Sequence, residues 1–161
     1  MDKAPHPQLV ELGHLMVDGS PHAVHLGLKL EAIGEGSAQM RAPYHGDFVG
    51  DPETGVIHGG VVTALLDHVC GLAAFAGFGG HDPVATLDLR LDYMRPAQPG
   101  ADIVAEAHCV KTSGLIAFVR ASAHDGDPDN PVALAQSTFM VTRASQKAVE
   151  KAKALFKGDA S

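Results

Sequence analysis

The chain has 161 residues, 45% of them hydrophobic, and a formal net charge of -7 at pH 7. That length suits one domain with a real core. The acidic balance leaves no cationic surface for nucleic-acid phosphates or an anionic membrane, so neither is expected as a partner. Cys70 and Cys109 lie in apolar runs without CxxC spacing and read as small core residues of a reducing cytoplasm. The opening "MDKAPHPQLVELG" has no basic start followed by a long apolar run, so no secretory leader is expected and the expected location is cytoplasmic.

Taken in chain order, Leu9, Leu12, Leu15 and Met16 fall near helical spacing and predict a short amphipathic helix, closed by the turn "GSP". Residues 25–33 alternate, with Leu26, Leu28 and Leu30 opposed to His25, Gly27, Lys29 and Glu31, as in a half-buried strand. "GEG" at 34–36 interrupts the pattern and "SAQMRAPY" resumes it, which predicts a hairpin. The segment 58–78, "HGGVVTALLDHVCGLAAFAGF", predicts a long helix with most of its circumference apolar. "ATLDLRLDYMRPA" has the clearest period of two, Leu87, Leu89, Leu91 and Tyr93 against Asp88, Arg90 and Asp92. Three further strand-length segments follow, in "ADIVAEAHCVKTSG", "LIAFVRASAHDG" and "PVALAQSTFMVTR", parted by the turn signals "PG", "SG" and "DGDPDNP". The tail "SQKAVEKAKALFK" predicts a solvated, Lys-rich helix. With no repeat, low-complexity tract or linker in view, the chain reads as a single α+β domain over 1–161, an antiparallel sheet of about five strands wrapped around the long helix.

Asp67 stands out near the middle of that helix. A membrane span is the rival reading of the segment, but it is barely long enough and carries Asp67, His68 and Gly71. An ionised carboxylate in a wrapped helix needs a partner or a wet opening, and His68 or a gap in the sheet could supply either. Burial tends to raise a carboxyl pKa, which suits a general base or nucleophile. At the start of the helix, Gly59 and Gly60 leave backbone N–H groups unpaired and unobstructed, where an oxyanion could be held.

These residues resemble a known signature. "GVIHGGVVTALLDHVCGLA" is similar to that of the PaaI-type acyl-CoA thioesterases of the hotdog-fold superfamily, in which His-Gly-Gly opens a central helix and a carboxylate follows nine residues after the His; His58 and Asp67 have that spacing. "TLDLRLDYMRPA" resembles the family's strand ending in an aromatic followed by Arg-Pro-Ala. The resemblance spans about residues 21–143 and implies a hotdog fold, an antiparallel sheet around one long central helix, and hydrolysis of an acyl-CoA or aryl-CoA thioester. It implies that the Gly59 N–H donates to the thioester oxygen and that Asp67 attacks or activates water. His58 would shape the helix start and help orient the carbonyl, and Thr86 falls where relatives often carry Ser or Thr near the attacking water. Gly60 joins Arg90 and Arg95 as candidates for substrate binding, with Arg120 and Arg143 as further basic residues able to meet the CoA phosphates. No metal or other cofactor is implied; water is the only cosubstrate. One departure is Pro52, flanked by Asp51 and Glu53, at the place six residues before the His where the family commonly has Asn or Gln.

Spacing adds a constraint. Gly59 and Asp67 are eight residues apart, about 12 Å along a helix, whereas a donor and an attacking group must each lie within about 3 Å of one carbonyl. If both act, they come from two helices, and the site belongs at the interface of a homodimer, alone or within a dimer of dimers. The chain lacks G-x-S-x-G, G-x-G-x-x-G, a P-loop and H-E-x-x-H; His22 and His25 sit in a Pro-containing entry to a strand, and "DGDPDNP" lacks the Gly and Glu of a calcium loop. The remaining alternative to an enzyme is a non-catalytic acyl-CoA binding or sensing module on the same fold. Which of Phe48, Leu66, Phe75, Phe78 and Met94 reach the cleft sets the acyl group accepted.

Overall fold

The computed structural model describes residues 7–142. Arg143 and the expected C-terminal helix lie outside the described residues. Helix α1 (Pro7–Asp18) has the expected extent and is followed by a short helix, α2 (Pro21–His25). The sequence "GSP" is therefore not a simple turn. Ser20 caps α2, its hydroxyl accepting the Ala23 N–H at 3.4 Å, and Pro21 takes the first helical position, where its missing N–H costs nothing. His22 and His25 accordingly lie on a helix, and Gly27, at φ +66°, turns the chain out of it.

The strand read over 25–33 is correspondingly shorter, β1 (Lys29–Gly34), which forms a hairpin with β2 (Ser37–Ala42). Leu26 and Leu28 are buried all the same, so their alternation with polar residues reflects burial in a helix end and its exit. A small separate hairpin, β3 (Val49–Asp51) with β4 (Val56–Ile57), follows a single 3-10 turn at Gly46–Phe48 and had no counterpart in the sequence reading. Helix α3 (Gly59–Gly77) then leads to β5 (Val84–Tyr93), β6 (Ile103–Ser113), β7 (Ile116–His124) and β8 (Ala133–Val141).

The main sheet has six antiparallel strands, where about five were expected, in the order β1-β2-β6-β7-β8-β5. Helix α3 packs chiefly on β6, β2 and β7. Buried alanines face it from the sheet, among them Ala105, Ala107, Ala121, Ala123 and Ala135, and let its larger Leu65, Leu66, Leu72 and Val69 fill the space between. Cys70 belongs to this core and burial pushes its thiol up to about 11; Cys109 is half-buried, its thiol also raised by desolvation. Both cysteines are free.

The expectation of a helix covered on nearly every side needs correction. Gly60 is exposed, and Thr63, Ala64, Asp67, His68 and Gly71 are only half-buried. Their spacing of three and four residues makes one stripe along α3 that the sheet of its own chain does not cover. Strand β5 is also open: it pairs with β8 on one side and ends the sheet on the other. Among the described residues α3 alone is long and apolar enough to cross a membrane, but its apolar residues form the core of this fold.

Candidate active site

His58 is the N-cap of α3. Its extended backbone (φ -63°, ψ 134°) turns into the helix, and its imidazole Nδ1 accepts the Gly60 N–H at 2.9 Å. That bond requires an unprotonated Nδ1, so a neutral ring carries its proton on Nε2. The Gly60 N–H is thereby engaged by the protein. The Gly59 N–H has no acceptor among the described residues, and it stands at the positive end of a 19-residue helix dipole. Of the two glycines, Gly59 is the one whose donor is open to a ligand.

The Gly59 carbonyl is held firmly. The Tyr93 hydroxyl donates to it at 2.7 Å and the Thr63 hydroxyl at 3.1 Å, with the two hydroxyl oxygens 2.6 Å apart. Tyr93 closes β5, so the end of the edge strand is tied to the first turn of the helix. The sequence places Tyr93 in an apolar alternation and as the aromatic that ends the strand before Arg-Pro-Ala; neither reading points to its hydroxyl bond with Gly59. Beside it a cleft of about 380 Å³ is lined by Val56, Ile57, Gly59, Val62, Tyr93 and Met94, together with Arg95, Pro96, Ala97 and Val132.

Two turns further along α3, Asp67 lies on the uncovered stripe and its Oδ1 accepts the Thr86 hydroxyl at 2.9 Å. Its partner is thus Thr86, not His68. Strict alternation along β5 would place Thr86 with Asp88 and Arg90, on the face away from the helix. A bulge between Thr86 and Asp88 inserts one residue, so that Thr86 shares the helix-facing side with Leu89, Leu91 and Tyr93. Leu87 is the residue displaced, and it stands 54% exposed. The expected apolar face of Leu87, Leu89, Leu91 and Tyr93 is therefore broken at its first member.

The basic candidates are arranged differently from the expectation. Arg95 makes a bidentate pair with Asp125, at 2.8 and 2.6 Å, and also donates to the carbonyls of Asn130 and Pro96. The guanidinium holds the Asp125 carboxyl well below its usual range, with the Gln98 N–H as a further donor. Its donors are spent on bracing the loop, which leaves Arg95 poorly placed to bind a phosphate. Arg90 projects from the outer face of β5, away from α3, and among the described residues reaches only Asp92 of its own strand, at 3.3 Å. Arg120 also lies on that outer face, beside its cross-strand neighbour His108.

Pro52 sits at the exposed tip of the β3–β4 hairpin. Asp51 does not replace an amide there: its carboxylate accepts the Thr54 hydroxyl at 2.8 Å and the Glu53 N–H at 3.0 Å, and these bonds lower its pKa. Among the pocket candidates, Phe48 lines a second cleft with His58 and Gly60, and Met94 lines the first. Leu66 and Phe75 are buried in the core. Among the described residues no group of three or more His, Cys, Asp or Glu side chains is placed to hold a metal ion.

Residues 54–132 match the family model of the thioesterase superfamily. A protein of Halobacterium salinarum described as an esterase is 31% identical over 127 residues, 73% of this chain and 82% of the relative. This chain belongs to the thioesterase superfamily. A crystal structure from Pseudomonas aeruginosa superposes with a TM-score of 0.76 at 36% identity, covering 83% of this chain and 99% of that one. A mutant of the phenylacetic acid degradation protein PaaI from Thermus thermophilus does so with a TM-score of 0.66 at 31% identity, covering 76% and 100%. Human acyl-coenzyme A thioesterase 13 is 36% identical over 64 residues, which span 40% of this chain and 45% of that enzyme. The fold is the hotdog fold, with the six-stranded sheet on its central helix, as the PaaI resemblance implied.

Proposed function

We propose that this thioesterase-superfamily protein hydrolyses an acyl-CoA or aryl-CoA thioester to the free acid and CoA at a site shared by two copies of the chain. The observation that carries the reading is the pairing of a free helix-terminal donor, Gly59 N–H, with a hydroxyl-held carboxylate, Asp67, on one uncovered helix face. Gly59 polarises the thioester oxygen, where charge develops in the transition state. Asp67 either attacks the carbonyl carbon, expelling the CoA thiolate as the C–S bond breaks and leaving a mixed anhydride that water then hydrolyses to the acid, or removes a proton from the water that attacks. In the second case the water oxygen bonds to carbon, its proton passes to the carboxylate, and the tetrahedral intermediate expels the CoA sulfur as the C–S bond breaks. Thr86 donates to one Asp67 oxygen and leaves the other available to water. His58 sets the first turn from which Gly59 donates.

The distance of about 12 Å along α3 requires the two groups at one carbonyl to come from different chains. The uncovered stripe on α3 and the open edge of β5 support a homodimer with these surfaces facing the partner. The apolar cleft beside Gly59 suits the acyl arm, and the resemblance to acyl-coenzyme A thioesterase 13 supports CoA as the thiol.

Asp67→Asn removes the base or nucleophile with little change of volume and is expected to lower kcat at least about a hundredfold while substrate still binds. A screen across short, medium, long and aromatic acyl-CoA thioesters, repeated with this variant, tests the reading. Unchanged turnover in the folded variant would remove Asp67 from the chemistry.

A further inference from the structure

We infer that Tyr93 is a positioning residue for the oxyanion donor, acting through the Gly59–Gly60 peptide; this rests on the reading of Gly59 given above. The inference starts from a property of glycine. A glycine at the mouth of a site lets a ligand approach closely, but it leaves its own backbone freer than any other residue. A donor that stabilises a developing oxyanion must already be oriented when the charge appears, because reorganisation during reaction forfeits the benefit. Gly59 followed by Gly60 is, on those grounds, a poor choice unless something outside the helix holds it.

The surroundings hold it at both ends of one peptide plane. The carbonyl of the Gly59–Gly60 peptide accepts from Tyr93 at 2.7 Å and from Thr63 at 3.1 Å, and the N–H of the same peptide donates to His58 at 2.9 Å. With that plane fixed, the Gly59 backbone can no longer pivot freely, and the N–H on its other side keeps a single direction. Thr63 and Tyr93 are themselves 2.6 Å apart, so two hydroxyl protons serve three close contacts and one is shared. Thr63 lies within the helix and moves with it. Tyr93 comes from the sheet and ties the glycine turn to β5, while the His58 N–H, donating to the Phe48 carbonyl at 2.8 Å, ties the N-cap to the 3-10 turn. A methyl on Gly59 would stand 3.3 Å from the Tyr93 oxygen, so the ring is seated closely against the glycine. Tyr93 does not touch the reacting atoms in this assignment; it acts through Gly59.

Tyr93→Phe removes one oxygen and keeps the ring in place. The expected result is a fall in kcat of roughly tenfold, with KM within about twofold of wild type, since the donor acts weakly on the neutral carbonyl of the bound substrate and far more strongly on the charge that develops in the transition state. A readout specific to polarisation is the infrared carbonyl stretch of a 13C-labelled acyl-CoA thioester bound to Asp67→Asn protein, which is shifted down by the oxyanion donor. Adding Tyr93→Phe should reduce that downshift. Thr63→Val combined with Tyr93→Phe should cost less than the product of the two single effects, because both act on one carbonyl. Unchanged kcat in Tyr93→Phe, or reduced kcat with an unchanged carbonyl frequency, would overturn the assignment. Asp67→Asn measured alongside separates the two levels: if it turns over normally, the proposed reaction site falls, whereas an inactive Asp67→Asn beside a fully active Tyr93→Phe removes only the role of Tyr93.

Discussion

Asp67 and His68 are neighbours on α3, and their environments push them toward different tasks. Asp67 has a hydroxyl donor and an opening. His68 shares the uncovered stripe but has no hydrogen-bond partner in the described contacts, and desolvation lowers its pKa; the Asp67 charge opposes that shift and His22 adds to it. A histidine whose folded-state pKa lies below its unfolded value of 6.5 binds fewer protons folded than unfolded. Its stabilising contribution is present above that value and is lost as pH falls through the folded pKa. The melting temperature should therefore drop between about pH 7.5 and about pH 5.5, and His68→Gln should flatten that part of the drop. Equal pH slopes for the two proteins would show that His68 is not the group responsible. The presence of Asp67 was legible as a carboxylate in an apolar helix. Its actual partner was not: Thr86 was reached through the family resemblance, since a period of two along β5 points the hydroxyl the other way.

Strand β5 shows why alternation is a partial guide at the level of the element. Its one-residue bulge leaves the sequence composition of a strand intact while changing which side chains share a face, and only the pairing with β8 reveals it. The long helix was legible to within a residue at each end because capping and apolar content agree there: His58 is the N-cap and Phe78 the C-cap. The short α2 was hidden because "GSP" reads as a turn and the leucines that follow it, Leu26, Leu28 and Leu30, have a spacing that fits a strand. β5 has a further consequence on its open side. Along its outer face Arg90 lies between Asp88 and Asp92, so antiparallel pairing of two β5 strands about Leu89 sets Arg90 opposite Asp88, and pairing about Leu91 sets it opposite Asp92. A register centred on Arg90 would oppose like charges and is disfavoured. Arg90→Asp makes both favourable registers repulsive. If β5 meets its own copy, this variant should raise the dimer dissociation constant about tenfold or more by sedimentation, from two reversed pairs worth up to about 1 kcal/mol each. The same dissociation constant as wild type would place the interface elsewhere.

At the scale of the whole molecule, one chain carries both halves of the proposed site but cannot bring them to one carbonyl. Asp67→Asn breaks the attacking half. Gly59→Val breaks the donor half, since even its first added carbon would lie 3.3 Å from the Tyr93 oxygen. Each variant alone forms dimers with two damaged sites. After an equal mixture is unfolded and refolded, random pairing makes about half of the dimers mixed, and in a mixed dimer one site combines the two intact halves while the other carries both lesions. Recovery of roughly a quarter of wild-type activity is expected, half of the sites in half of the dimers. Each variant refolded alone must stay inactive, and native mass spectrometry must find the mixed species. A site built within one chain predicts no recovery at all, because every copy would still lack one group. No activity in a sample that contains mixed dimers would thus refute the shared site and require another explanation for a carboxylate on the uncovered face of α3.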